Sequence, residues 1–133
     1  MFMEIKEARN IQISEASEVH RIFGYISEEE QELFLVISLN TKNRIINTHI
    51  SSIGTLDSSI IHPRDIFREA IRNNANGIIL MHNHPSGDIN PSNEDLKVTN
   101  LLKKISNIIG IKIIDHIIIS KNHFFSFQES RLL

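Results

Sequence analysis

Apolar residues run almost unbroken from Leu33 to Leu39, a pattern that predicts a strand buried on both faces. Asn40, Thr41, Lys42 and Asn43 then form a turn. The β-branched, alternating residues 44–53 predict the antiparallel partner strand of a hairpin, punctuated by Gly54. Residues 77–81, Gly-Ile-Ile-Leu-Met, predict another core strand, which delivers the chain to a loop at residues 82–88, His-Asn-His-Pro-Ser-Gly-Asp. Residues 111–120 and 124–127 are two further strand candidates.

Helical spacing alternates with these runs. Val19, Ile22, Phe23 and Ile26 predict a short helix opened by residues 14–18, whereas Ile5, Ile11 and Ile13 show only a weak alternation. Pro63 stands at a first helical position, and Ile66, Phe67, Ala70 and Ile71 form an apolar stripe behind it. A third helix is expected to start at residues 91–95, with apolar positions Leu96, Leu101, Leu102, Ile105 and Ile108, and to stop at Gly110. The sum is one mixed α/β domain with a hairpin-rich sheet flanked by helices.

Composition narrows the chemistry. The 133 residues contain no cysteine, which excludes disulfides, thiolate zinc sites and a cysteine nucleophile, so any metal site must use histidine and carboxylate. Fourteen basic residues against 16 acidic ones leave a net charge of −2 and no electrostatic surplus for gripping nucleic acid. No apolar run approaches a membrane span and residues 1–4 lack a signal-peptide pattern, so a soluble, cytoplasmic protein is expected.

His82 and His84 are two apart at a strand end, so both rings can face one ion. Asp95 follows eleven residues after His84, in the first turn of a helix reached through a loop long enough to fold back. Two histidines and one carboxylate leave a tetrahedral zinc with an open fourth position, a catalytic arrangement. Fe(II), Mn(II) and Co(II) accept the same ligand types.

The string His82-Asn83-His84, seven residues, Ser92, two residues, Asp95 resembles the His-x-His-x7-Ser-x2-Asp core of the JAB/MPN (JAMM) metalloproteases. Residues 62–65 (His-Pro-Arg-Asp), 82–87, 91–92, Asp115-His116 and Ser126-Phe127 are similar to signatures of the RadC-like branch, and the likeness spans roughly residues 28–133. The resemblance implies a cytidine-deaminase-like fold and one zinc per chain on His82, His84 and Asp95. It further implies that Glu32, with Glu28, Glu29 and Glu30 as fallbacks, acts as general base on a water held at the metal, and that Ser92 donates to the oxyanion of a tetrahedral intermediate. The implied activity is zinc-dependent hydrolysis of peptide or isopeptide bonds in a peptide or protein substrate. Asn83 replaces the serine found between the histidines of deubiquitinating members, so ubiquitin specificity does not carry over. Ser130 stands where the branch commonly has glycine. Longer members place a helix-hairpin-helix domain ahead of this one; residues 1–27 are expected to be only a leader with a short helix packed on the domain, which is read as a monomer or homodimer.

Plainer roles compete for each residue. Ser92 and Asp95 also match a helix capping box, and Glu32 a solvated charge at a strand edge. Asn83 shapes the loop, His62 caps a helix, Asp115 and His116 form a buried polar pair bracing the sheet, and His20, His49 and His123 are expected on the surface. Two other function classes stay open: a DNA-repair-associated module, carried by the RadC label alone, and an interaction domain without turnover.

Overall fold

A computed structural model describes residue 5 and residues 7–57 and 61–133; residues 1–4, searched above for a signal peptide, lie outside these. In chain order the elements are α1 (Ala16–Phe23), a 3-10 turn (Gly24–Glu28), β1 (Leu33–Leu39), β2 (Ile45–Ile53), α2 (Pro63–Arg72), β3 (Gly77–Asn83), α3 (Asn93–Ile109), β4 (Lys112–Ile119) and β5 (Phe124–Ser126). The five strands form one sheet in the order β2-β1-β3-β4-β5. β1 pairs antiparallel with both β2 and β3, and β4 with β5, while β3 and β4 are parallel. A parallel pair needs a long crossover, which α3 supplies.

Both faces of the sheet are covered, and every residue of β1 and β3 is buried, all of them apolar except Ser38, His82 and Asn83. Leu35, Ile37, Met81, Ile117 and Ile119 pack with Val19 and Phe23 of α1 and with Ile26. On the opposite face Phe34, Val36, Ile78 and Leu80 meet Ile66, Phe67 and Ala70 of α2 and Val98 and Leu102 of α3. Residues 10–13 are tied to the β1–β2 turn, with Ile13 N donating to Asn43 O at 2.9 Å and Ile45 N to Ile11 O at 2.9 Å. Gly110, at φ 78°, takes the left-handed conformation that ends α3.

Several expectations need correction. The inward face of α3 is Asp95, Val98, Thr99, Leu102 and Ser106; Leu101 is 40% exposed and Ile108 84% exposed. Leu102 is buried and Ile105 packs against that core as expected, but small polar residues fill other inward positions, so hydrophobicity alone misplaced Leu101 and Ile108. In α2, Ile71 is likewise on the outside. β3 continues through His82 and Asn83, both buried, because their side chains find polar partners inside. His20 and His49 are half-buried, with Nε2 of His20 3.0 Å from Ser120 O and that of His49 3.2 Å from Asp65 O. Only His123 and His62 are exposed as surface positions, and His62 precedes α2 as its N-cap without a side-chain capping bond.

The bulge in β4 positions the next residues. Ile113 pairs with Ile78 and Asp115 with Ile79, so Ile114 is the extra residue and the phase of the strand shifts by one. Asp115 and His116 then point to opposite faces, Asp115 toward β5 and His116 toward α3.

Candidate metal centre

Alternation along β3 sorts the site. Ile78, Leu80 and His82 share the face covered by α3, and His84 leaves the strand end on the same side. Asp95 occupies the first turn of α3, fixed by a complete capping box: Asp95 N donates to Ser92 Oγ at 3.0 Å and Ser92 N to Asp95 Oδ2 at 2.8 Å. The capping role leaves a ligand role open to Asp95, because the box leaves the carboxylate facing both rings.

His82 Nε2 lies 3.0 Å from His84 Nε2 and 3.3 Å from Asp95 Oδ1, and His84 Nε2 lies 3.2 Å from Asp95 Oδ2. These three residues could hold a metal ion. Ligands at about 2.0–2.1 Å from a tetrahedral ion stand roughly 3.3 Å apart, the spacing found here. Acceptor atoms this close repel unless a cation or a proton lies among them. His84 Nδ1 donates to Asp88 O at 2.6 Å, which turns its Nε2 lone pair toward the cluster.

Electrostatics agrees with that geometry. Burial by itself would raise the Asp95 carboxyl, but hydrogen bonds from His82 and His84, the charge of His82 and the Ser92 N–H hold it well below the usual carboxylate range. Burial would lower His84, yet its bonds to Asp95 and the Asp88 carbonyl outweigh this and raise it. A proton thus competes with a metal for this ring from a higher pH than it would for an ordinary imidazole. Apparent metal affinity is expected to fall about tenfold per pH unit as pH drops below the His84 pKa. Chelator competition at several pH values checks this; a flat profile would contradict it.

The other proposed site residues gather at one opening. Glu32, Ser92, His84 and Asp95 line a single cleft of about 230 Å³ together with Thr55, Leu56, Ser86, Asp88 and Asn90. Glu32 stands just before β1, and its Oε2 accepts from Leu56 N at 2.9 Å. A larger cavity of about 510 Å³, lined by Val19, Lys103 and Ile117 among others, contains none of these residues. Glu28, Glu29 and Glu30 are not among those lining the cleft.

Two residues read from sequence as merely structural prove to sit behind the ligands. Asn83 turns to the opposite face of β3, where its Oδ1 accepts from Leu33 N at 2.7 Å and its Nδ2 donates to Gln31 O at 3.1 Å. It therefore clamps the segment bearing Glu32 onto the ligand strand. Asn83→Ala should cost about 1–3 kcal/mol by orphaning the buried Leu33 N–H. A urea midpoint within error of the parent would show that the segment is held elsewhere.

Asp115 does brace the sheet, accepting from Ser126 Oγ at 2.6 Å, His116 N at 2.7 Å and Gln128 N at 3.0 Å. His116 does something else: its ring contacts His82, with Nε2 2.8 Å from His82 Nδ1. Complete burial, with His82 beside it, pushes this ring well below its ordinary pKa. The adjacent Asp-His pair in the sequence carried no sign of that contact, which depends on the parallel register of β3 and β4.

The sequence profile of the RadC-like JAB domain matches residues 13–132. A protein of Pelodictyon phaeoclathratiforme named UPF0758 is 53% identical over 110 residues, covering 83% of this chain and 50% of that protein. UPF0758 proteins of Chlorobium phaeovibrioides (47% over 132 residues, 98% of this chain, 59% of that protein) and Thermotoga maritima (46% over 112 residues, 82% and 50%) are similar as well. The chain spans about half the length of the curated relatives it matches. Its five-stranded mixed sheet, its helices and this profile match over nearly the whole chain establish that it belongs to the family of RadC-like JAB domains.

Proposed function

We propose that this domain is a zinc-dependent hydrolase of peptide or isopeptide bonds, with one zinc held by His82, His84 and Asp95. The observation that carries the reading is the convergence of those three ligand groups beside a cleft that Glu32 and Ser92 also line. Two imidazoles and one carboxylate suit zinc and leave a position open to substrate. When bound, the metal supplies Lewis acidity, polarising a carbonyl and making water a nucleophile near neutral pH.

The chain's own groups perform the remaining work. Glu32 takes the proton of the attacking water and returns it to the leaving amine. Its bond from Leu56 N occupies one oxygen and fixes the carboxylate at the cleft wall. Ser92 Oγ already accepts from Asp95 N, so its hydroxyl proton is available to an oxyanion developing in the cleft. Asp88 O keeps the His84 ring oriented, and the capping box does the same for Asp95.

The partner in this reading is a peptide or protein. The net charge of −2 gives nucleic acid no electrostatic footing, and among the described residues no helix is long and apolar enough to cross a membrane. A cytoplasmic location is part of the proposal. The test is hydrolysis of a panel of peptides and lysine-linked isopeptides by the zinc-loaded chain. Cleavage that stops on chelation and returns with zinc supports the reading; a zinc-loaded protein inert toward the whole panel would favour an interaction domain.

A further inference from the structure

Behind the ligands a buried polar chain leads from one of them back to another. His82 Nδ1 is 2.8 Å from His116 Nε2, His116 Nδ1 is 2.6 Å from Thr99 Oγ1, and Thr99 Oγ1 is 2.8 Å from the backbone oxygen of Asp95. His116 is fully buried, stacked on Phe127 at 4.6 Å and 11° and edge-on to Phe34. An unsolvated charge is costly between two aromatic rings, so the imidazole is neutral and carries one proton.

With all three contacts made as hydrogen bonds, the protons along this chain take one order. A carbonyl oxygen only accepts, so the one hydroxyl proton of Thr99 points to Asp95 O. Thr99 Oγ1 must then accept from His116 Nδ1–H. His116 Nε2 is left as an acceptor and receives the Nδ1–H of His82. The Nε2 of His82 consequently faces His84 and Asp95 as the atom that takes the cation. We propose that His116 and Thr99 are positioning residues that fix His82 in its metal-binding tautomer and tie the ligand strand β3 to the ligand helix α3 through β4. The same purpose is served at His84 by a backbone carbonyl, that of Asp88.

This inference rests on the metal reading, and its test separates the two. Long-range proton–nitrogen NMR of the histidine rings, on the full chain before and after chelation, should show His116 protonated on Nδ1 and bare on Nε2, with His82 protonated on Nδ1. A proton on His116 Nε2 would mean that Thr99 donates to the ring and would overturn the relay. Zinc affinity by chelator competition gives the second arm: Thr99→Val and His116→Phe should each weaken binding about 10–100-fold, and Thr99→Ser should restore it to within about threefold. Thr99→Val keeps the side-chain volume, so its unfolding midpoint serves as the control for folding. Equal zinc affinity in the parent, Thr99→Val and His116→Phe would overturn the proposal. A parent chain that binds no zinc would instead sink the metal reading, while the NMR pattern would still decide the proton order.

Discussion

Glu32→Gln is expected to retain the metal and to lose turnover by about 10²–10⁴-fold, the range for removing a positioned general base. The glutamate lines the same cleft as His84, Ser92 and Asp95, yet it is not among the residues whose ligand atoms converge. Glutamine has nearly the same volume, and its carbonyl oxygen can accept from Leu56 N as the carboxylate does at 2.9 Å. The substitution therefore removes basicity and leaves the local fold. Steady-state rates on any peptide cleaved by the parent, with metal content measured on the same samples, check this. Activity within a few-fold of the parent would remove Glu32 from the chemistry, and loss of metal would make it a ligand.

The second large effect is on stability. A ligand that binds only the folded state stabilises it by about 4 kcal/mol when free at 1,000 times its dissociation constant. Saturating zinc should raise the denaturant midpoint of the parent accordingly. In Asp95→Asn the rise should vanish while the metal-free fold is kept, because the asparagine oxygen can still accept from Ser92 N in the capping box. His84→Ala tests the same point from the other side, by removing a ring whose Nε2 lies 3.2 Å from Asp95 Oδ2. An equal rise in all three proteins would place the zinc at some other site.

How much of this was legible in the sequence depended on the kind of signal. The buried strands were visible because a sheet covered on both faces writes a nearly unbroken apolar run, as in residues 33–39. The convergence of the candidate ligands was visible because His82 and His84 stand two apart at the end of β3 and Asp95 follows at the next helix start. The inner stripe of α3 was read only in part: Leu102 and Ile105 pack inward as expected, but Asp95, Thr99 and Ser106 face inward where polar partners await them and Leu101 and Ile108 do not. The strand was expected to stop at Met81 for the same reason: His82 and Asn83 look like loop residues until their partners are known. His116 and Thr99 could not be placed, since their roles depend on the β3–β4 register, its bulge at Ile114 and the docking of α3. Local pattern reports which faces are buried; it does not report which buried polar groups meet.

The central claim is that His82, His84 and Asp95 hold a metal, and metal content per chain tests it most directly. Tag-free protein should be purified without added metal and compared by elemental mass spectrometry with Asp95→Asn, each before and after zinc reconstitution. The expected result is about one zinc per chain in the parent, as a single three-residue ligand set requires, and a substantial loss in the variant. A parent chain still free of metal after reconstitution would contradict the account and leave Ser92 and Asp95 as a helix cap alone.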